Sequence, residues 1–159
     1  MKNQGLTIKH VGLIWGNKKI QFLIALTGLL IGIIEYEILQ PQPLIEVLNP
    51  VTLIFASIIL FISIGLAYEL IFRGIIQKNA ENAFGTIAGI LYTAIIFTAI
   101  QIGWNSFIFL ISIFIVALFY GYTFMKTRSI VGITVSSGIS TIFLLLILPF
   151  YASTIFHLI

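Results

Sequence analysis

Glu69 and Arg73 are the residues of this chain whose types and spacing point most directly to chemistry. They lie four apart in Ala67-Tyr68-Glu69-Leu70-Ile71-Phe72-Arg73-Gly74, at the end of a long apolar run. An ionisable side chain inside a membrane span costs roughly 2.5–3.5 kcal/mol on insertion scales, so its presence points to a role. On a helix, positions i and i+4 share a face, and Glu ahead of Arg is the favourable order. Two readings compete. Glu69 is a base that activates water, or it neutralises Arg73 as an internal ion pair. Ser136, Ser137, Ser140 and Thr141 form a second polar cluster. No Ser has a His or Lys beside it, so these read as packing and cross-helix hydrogen-bonding groups rather than nucleophiles. The two histidines, His10 and His157, stand near opposite ends, and there is no Cys. Disulfides and thiolate metal sites are therefore excluded.

The elements that must position these groups are membrane helices. The chain is 60% hydrophobic and 8% charged, with a mean hydropathy of +1.16, whereas soluble domains are about one quarter charged. The expected fold class is an all-α polytopic helix bundle in a bilayer. A crossing helix needs about 20 mostly apolar residues, and five segments approach that length: 20–38, 51–74, 84–103, 106–125 and 129–149. The first carries Glu35 and Glu37 at its far end and breaks at Gln40-Pro41-Gln42-Pro43. The second follows Pro50, a sound first-turn position. The fifth ends at Pro149. Residues 1–19 read as an interfacial segment with Trp15 beside Lys18 and Lys19, 20–149 as the bundle, and 150–159 as a tail. Trp15, Trp104, Tyr120 and Tyr122 suit the aromatic belts at the membrane interfaces. Gly28-x-x-x-Gly32 and Gly85-x-x-x-Gly89 suit close helix packing.

Charge placement gives an expected topology. Lys2, Lys9, Lys18 and Lys19 precede the first segment, Arg73 and Lys78 fall at the turn between the second and third, and Lys126 and Arg128 between the fourth and fifth. By the positive-inside rule the N-terminus is cytoplasmic and the C-terminus outside. The first segment lacks an Ala-x-Ala cleavage site and reads as a span or signal anchor, not a signal peptide. The net charge of +3 is thus a topology signal, and no basic stripe with exposed aromatics suggests nucleic acid.

Gly65 to Gln77, with Phe72-Arg73-Gly74 at its centre, resembles the first motif of the CPBP family. These are the CAAX-protease and bacteriocin-processing intramembrane proteins, also called Abi. That motif is Glu-Glu-x-x-x-Arg; here Tyr68 replaces the first Glu, while Glu69 and Arg73 match. The second motif, Phe-x-x-x-His, falls on Phe97 to Gln101, with Gln101 where His belongs. The last, His-x-x-x-Asn, falls on Ser137 and Thr141. The likeness covers about residues 50–145, with the motifs in order. Glu35 to Pro41 also resembles the stretch ahead of the core in some bacterial members.

The resemblance implies Glu and His side chains that act on a metal or activate water for peptide hydrolysis. A metal-assisted hydrolase needs about three protein ligands and an open position. This chain offers Glu69 and no spanning His, while Gln101, Ser137 and Thr141 are neutral and weak for zinc. A metal-free route needs a base and an oxyanion stabiliser, and Arg73 is expected to occupy Glu69. No catalytic residue, metal or cofactor is therefore expected, with Tyr68, Glu69, Arg73, Gln101, Ser137 and Thr141 as remnant positions. A bound lipid or pigment stays open, His10 and His157 being the candidate pigment or haem ligands. Tyr68 is expected to fill the lost Glu's space with its hydroxyl bonded, and Gln101 to bond another helix. The expected function is that of a catalytically inactive binding or accessory subunit of a membrane complex, or a peptide-immunity protein. Its expected partners are the bilayer and other membrane subunits, in the plasma or an internal membrane of a prokaryote. The alternative is an atypical intramembrane CAAX-type endopeptidase using Glu69.

Overall fold

The computed structural model describes residues 12–45 and 49–156. His10, His157, Lys2, Lys9 and Glu46 lie outside the described residues. Helix α1 (Lys18–Leu39) starts where the Asn17 side chain accepts from the backbone N–H groups of Lys19 and Ile20. Such a cap satisfies donors that a helix start leaves open. It stops at Gln40, whose φ of 43° precedes Pro41. Helix α2 (Pro50–Phe84) starts the same way, with Asn49 accepting from Val51 and Thr52 and Pro50 in the first turn. It then runs without a break for 35 residues, about 50 Å. Over Phe61–Tyr68 and Leu70–Gln77 its backbone is π-wound, a rare geometry met mostly at functional positions.

Gly85 ends α2 with a φ of +86°, a conformation that glycine adopts without the Cβ penalty. Helix α3 (Thr86–Ala99) follows directly. A 3₁₀ turn, Ile102–Trp104, leads to α4 (Phe107–Thr127), whose first turn is capped by Ser106. Helix α5 comprises Val131–Ile142, a π-wound Phe143–Ile147 and Leu148–Phe156. Among the described residues, four of these five helices are long and apolar enough to cross a membrane. α3, with 14 residues, rises about 21 Å and is shorter than a crossing helix. The expected third span of 84–103 is corrected accordingly. Gly85 trims one end, and a turn at Ile100 and Gln101 trims the other, while residues 75–84 extend α2.

α5 is the most enclosed helix because its small residues let neighbours approach. Gly28 and Gly32 of α1 face Ser136 and Ser140: a Cβ on Gly28 would lie 2.2 Å from the Ser136 carbonyl oxygen. Small residues four apart on both partners bring backbones together where lipid offers no hydrophobic drive. The expected end of this helix at Pro149 is also corrected. Proline lacks an N–H and crowds the carbonyl four residues back. That carbonyl belongs to Leu145, and it accepts instead from the Leu44 N–H at 3.3 Å. The preceding π-wound turn makes the room, so the helix passes through.

Residues 13–17 are not helical. The Gly12 carbonyl accepts from the Ile130 N–H at 2.9 Å, and Ser129 Oγ donates to the Ile14 carbonyl, tying this stretch to the α4–α5 loop. Trp15 remains exposed, as suits an interface. Two buried clusters fill the bundle, one around Phe72, Phe97, Phe109 and Ile113, the other around Ile24, Phe124, Ile130 and Ile133. Outward residues such as Phe22, Leu30, Phe55, Ile59 and Phe107 are exposed, a surface that lipid must cover.

Candidate functional site

All five helices contribute to one chamber of about 230 Å³. α2 brings Tyr68, α3 brings Phe97, and the turn after it brings Gln101 and Trp104. α4 adds Phe109 and Tyr120, α5 adds Ser137, Ser140 and Thr141, and α1 adds a carboxylate, Glu35. Four of the six remnant positions, Tyr68, Gln101, Ser137 and Thr141, therefore line the same space. By counting along straight spans, Gln101 and Glu69 fall far apart in depth. The short α3 and the long α2 bring Gln101 to the wall that Tyr68 occupies.

Glu69 and Arg73 do not line the chamber. Both are fully buried, with Arg73 Nε 3.3 Å from Glu69 Oε2. Arg73 Nη2 donates to the Ala117 carbonyl at 3.2 Å, and its guanidinium carbon lies 4.8 Å from the Phe97 ring centroid and 5.6 Å from that of Tyr120. Phe97 is thus a partition. It stacks edge-on with Phe72 at 4.9 Å and Tyr68 at 6.2 Å and carries the cation against it. Among the described residues neither Glu69 oxygen has a hydrogen bond of good geometry, nor do Arg73 Nε and Nη1. The pair is held by charge and rings more than by a saturated hydrogen-bond network.

Several expectations on single residues meet the geometry differently. Ser136 bonds across helices, to Thr27 Oγ1 at 3.0 Å and to the Tyr120 hydroxyl at 2.8 Å. Thr141 donates to the Ser137 carbonyl of its own helix at 3.0 Å. Gln101 is not bonded to another helix among the described residues; its side chain belongs to the chamber wall. Tyr68 fills space as expected, but through ring contacts, with no hydroxyl partner among the described residues. Gly85 serves the α2–α3 turn, not packing, since nothing lies within 4 Å of a Cβ placed there.

The site residue that the motifs do not reveal is Glu35. It is buried on α1, lines the chamber, and accepts from Ser140 Oγ at 2.8 Å. A signal exists in the sequence. The buried face of α1 runs Gln21, Ile24, Gly28, Gly32, Glu35, so the small-residue stripe, extended by one helical step, ends on this carboxylate. Tyr120 departs from its expected place in an interface belt, since it is buried beside the chamber.

Long apolar helices around a chamber lined by both polar and apolar side chains define a polytopic integral membrane protein with an internal site. Residues 50–143, more than half of the chain, match the family described as type II CAAX prenyl endopeptidase Rce1-like. The chain belongs to that family. No curated protein and no solved structure matches it. A hydrolytic metal, one of the two routes that the resemblance implies, does not fit the side chains of the described residues. No group of three His, Cys, Asp or Glu side chains that could hold a metal occurs among the described residues. The chamber's own donors, beyond Glu35, are neutral amide and hydroxyl oxygens, a poor set for zinc.

Proposed function

We propose that this chain is a non-hydrolysing member of its family that works as a binding or accessory protein in a prokaryotic membrane. The supporting observation is the position of Glu69. The motif carboxylate is fully buried, ion-paired with an Arg73 that lies against Phe97 and Tyr120, and absent from the wall of the chamber. A general base must come within hydrogen-bond reach of the water it activates. Gln101, Ser137 and Thr141 stand where the family motifs have His, His and Asn, and they can bind but do not supply ligands for zinc. The chamber then serves recognition, and the apolar outer faces serve lipid or partner subunits in a membrane complex, or a membrane-active peptide in immunity. Purification from native membranes in mild detergent, with mass spectrometry of what accompanies the chain, tests this. A stoichiometric partner supports it. A solitary chain that cleaves prenylated peptides overturns it.

Glu35 favours a second reading, an atypical CAAX-type endopeptidase. It places a carboxylate on the chamber wall, so the base need not be Glu69. Peptide cleavage abolished by Glu35→Gln or Glu69→Gln supports this reading. Absence of cleavage by the well-folded wild type excludes it.

A further inference from the structure

Glu35 is a buried acid with no basic partner in the chamber. Its residue exposure is 4%, it accepts a hydrogen bond from Ser140 Oγ at 2.8 Å, and no Lys, Arg or His among the described residues lines the wall. The buried cation behind that wall, Arg73, is already matched by Glu69 at 3.3 Å. With Glu35 ionised, the three buried charges, Glu35, Glu69 and Arg73, sum to one negative charge. A buried carboxylate calls for a counter-charge or a proton.

The rest of the wall suggests which counter-charge. Tyr68, Phe97, Trp104, Phe109 and Tyr120 contribute aromatic rings, and ring faces attract cations most strongly where water is excluded. Phe97 and Tyr120 already do this for Arg73. A carboxylate and several rings lining one chamber match an organic ammonium group. The carboxylate supplies the opposite charge, and the rings accept the N-alkyl carbons that a hydrated metal ion lacks. At about 230 Å³ the space lies below the roughly 300–1,000 Å³ of sites for drug-sized ligands, so it suits one small head group. Trp104 is both part of the wall and exposed on the surface, so its indole can report on the chamber.

We propose that the chamber binds the organic ammonium group of a small solute or a lipid head group, with Glu35 as its counter-charge and the rings of Tyr68, Phe97 and Trp104 around it. This deepens the binding reading and rests on it. The chain has two tryptophans, Trp15 and Trp104, so Trp15→Phe makes Trp104 a single reporter in the chamber wall. Tetramethylammonium chloride is titrated into the Trp15→Phe protein in maltoside detergent, with sodium chloride at matched ionic strength as reference. The expected result is a saturable change in Trp104 emission that sodium does not give. Glu35→Gln in the same background, isosteric and able to keep the Ser140 contact, should weaken it at least about tenfold. Tyr68→Leu should weaken it with the carboxylate left in place, and melting curves establish that each variant is folded. Repeating the titration in phosphatidylglycerol nanodiscs with and without phosphatidylcholine separates the two sources. Competition by phosphatidylcholine assigns the site to a lipid head group, and its absence assigns it to a soluble amine. A response identical to sodium chloride, or an affinity within about twofold of the parent in folded Glu35→Gln, overturns the proposal. Cleavage of a prenylated peptide would sink the non-hydrolysing reading and leave a saturable titration standing. A flat titration beside a copurifying partner sinks this inference alone.

Discussion

Neutralising both members of the Glu69–Arg73 pair should destabilise the bundle by much less than the two single neutralisations add up to. Both side chains are fully buried and their charged atoms approach to 3.3 Å. At that separation two unit charges attract by about 5 kcal/mol for an effective dielectric near 20. Desolvation of both groups offsets much of this, so the pair adds little net stability, but removal of one partner strands the other. In Glu69→Gln the buried guanidinium keeps only the Ala117 carbonyl and the rings of Phe97 and Tyr120. The expected loss is about 3–5 kcal/mol, and Arg73→Gln should lose a similar amount. The double variant should lose much less than the sum, with a coupling energy of at least about 3 kcal/mol, because no unpaired charge remains. Equilibrium unfolding in mixed micelles with increasing dodecyl sulfate, followed by circular dichroism, measures all four proteins. Single losses under about 1 kcal/mol, or a coupling under about 0.5 kcal/mol, would place the pair in the range of exposed ion pairs and refute the reasoning.

Three further outcomes follow from the packing and the site. Gly28→Leu should separate α1 from α5 and cost at least about 3 kcal/mol, since even its Cβ meets the Ser136 carbonyl at 2.2 Å and small-to-large changes in tight cores alone cost about 1–3. Gly103→Ala, with nothing within 4 Å, is the control and should melt like the parent. Arg128 pairs with Glu81 at 2.6 Å but is half exposed, and its φ is 51°; Arg128→Ala should lose about 0.2–1 kcal/mol, whereas Arg128→Gly should recover most of it by relieving the left-handed backbone. Melting curves of the three proteins check the order. Zinc measured by mass spectrometry after dialysis should be substoichiometric, because the chamber's donors beyond Glu35 are neutral. About one zinc per chain, lost with Glu35→Gln, would show that the amide and hydroxyl oxygens do suffice as ligands.

Composition pointed to a chain that needs lipid to cover its apolar surface, and the uninterrupted apolar runs near 20 residues pointed to helices, which satisfy their backbone internally. The starts of α1 and α2 were legible for local reasons: Asn17 and Asn49 cap them, and Pro50 fits a first turn. Family membership was legible because Glu69, Arg73 and the Phe72-Arg73-Gly74 continuation are contiguous on one helix. Helix ends were not. Pro149 looks like a stop, yet Leu44 takes the Leu145 carbonyl that the missing N–H leaves free, and that partner stands 101 positions away in the chain (145 less 44). Nor does Gly85 announce that α2 will absorb residues 75–84 and leave α3 too short to cross.

The site divides the same way. Motif order named Tyr68, Gln101, Ser137 and Thr141, but only the packing of five helices decides that they share a chamber while Glu69 and Arg73 are buried outside its lining. Glu35 stands 34 positions from Glu69 in the chain, and its place beside Ser140 depends on two glycines letting α1 approach α5. A sequence records which side chains can carry charge or accept a proton. Which of them meet, and which are sealed from water, depends on close approach between residues distant in the chain, and that is fixed only when the helices pack.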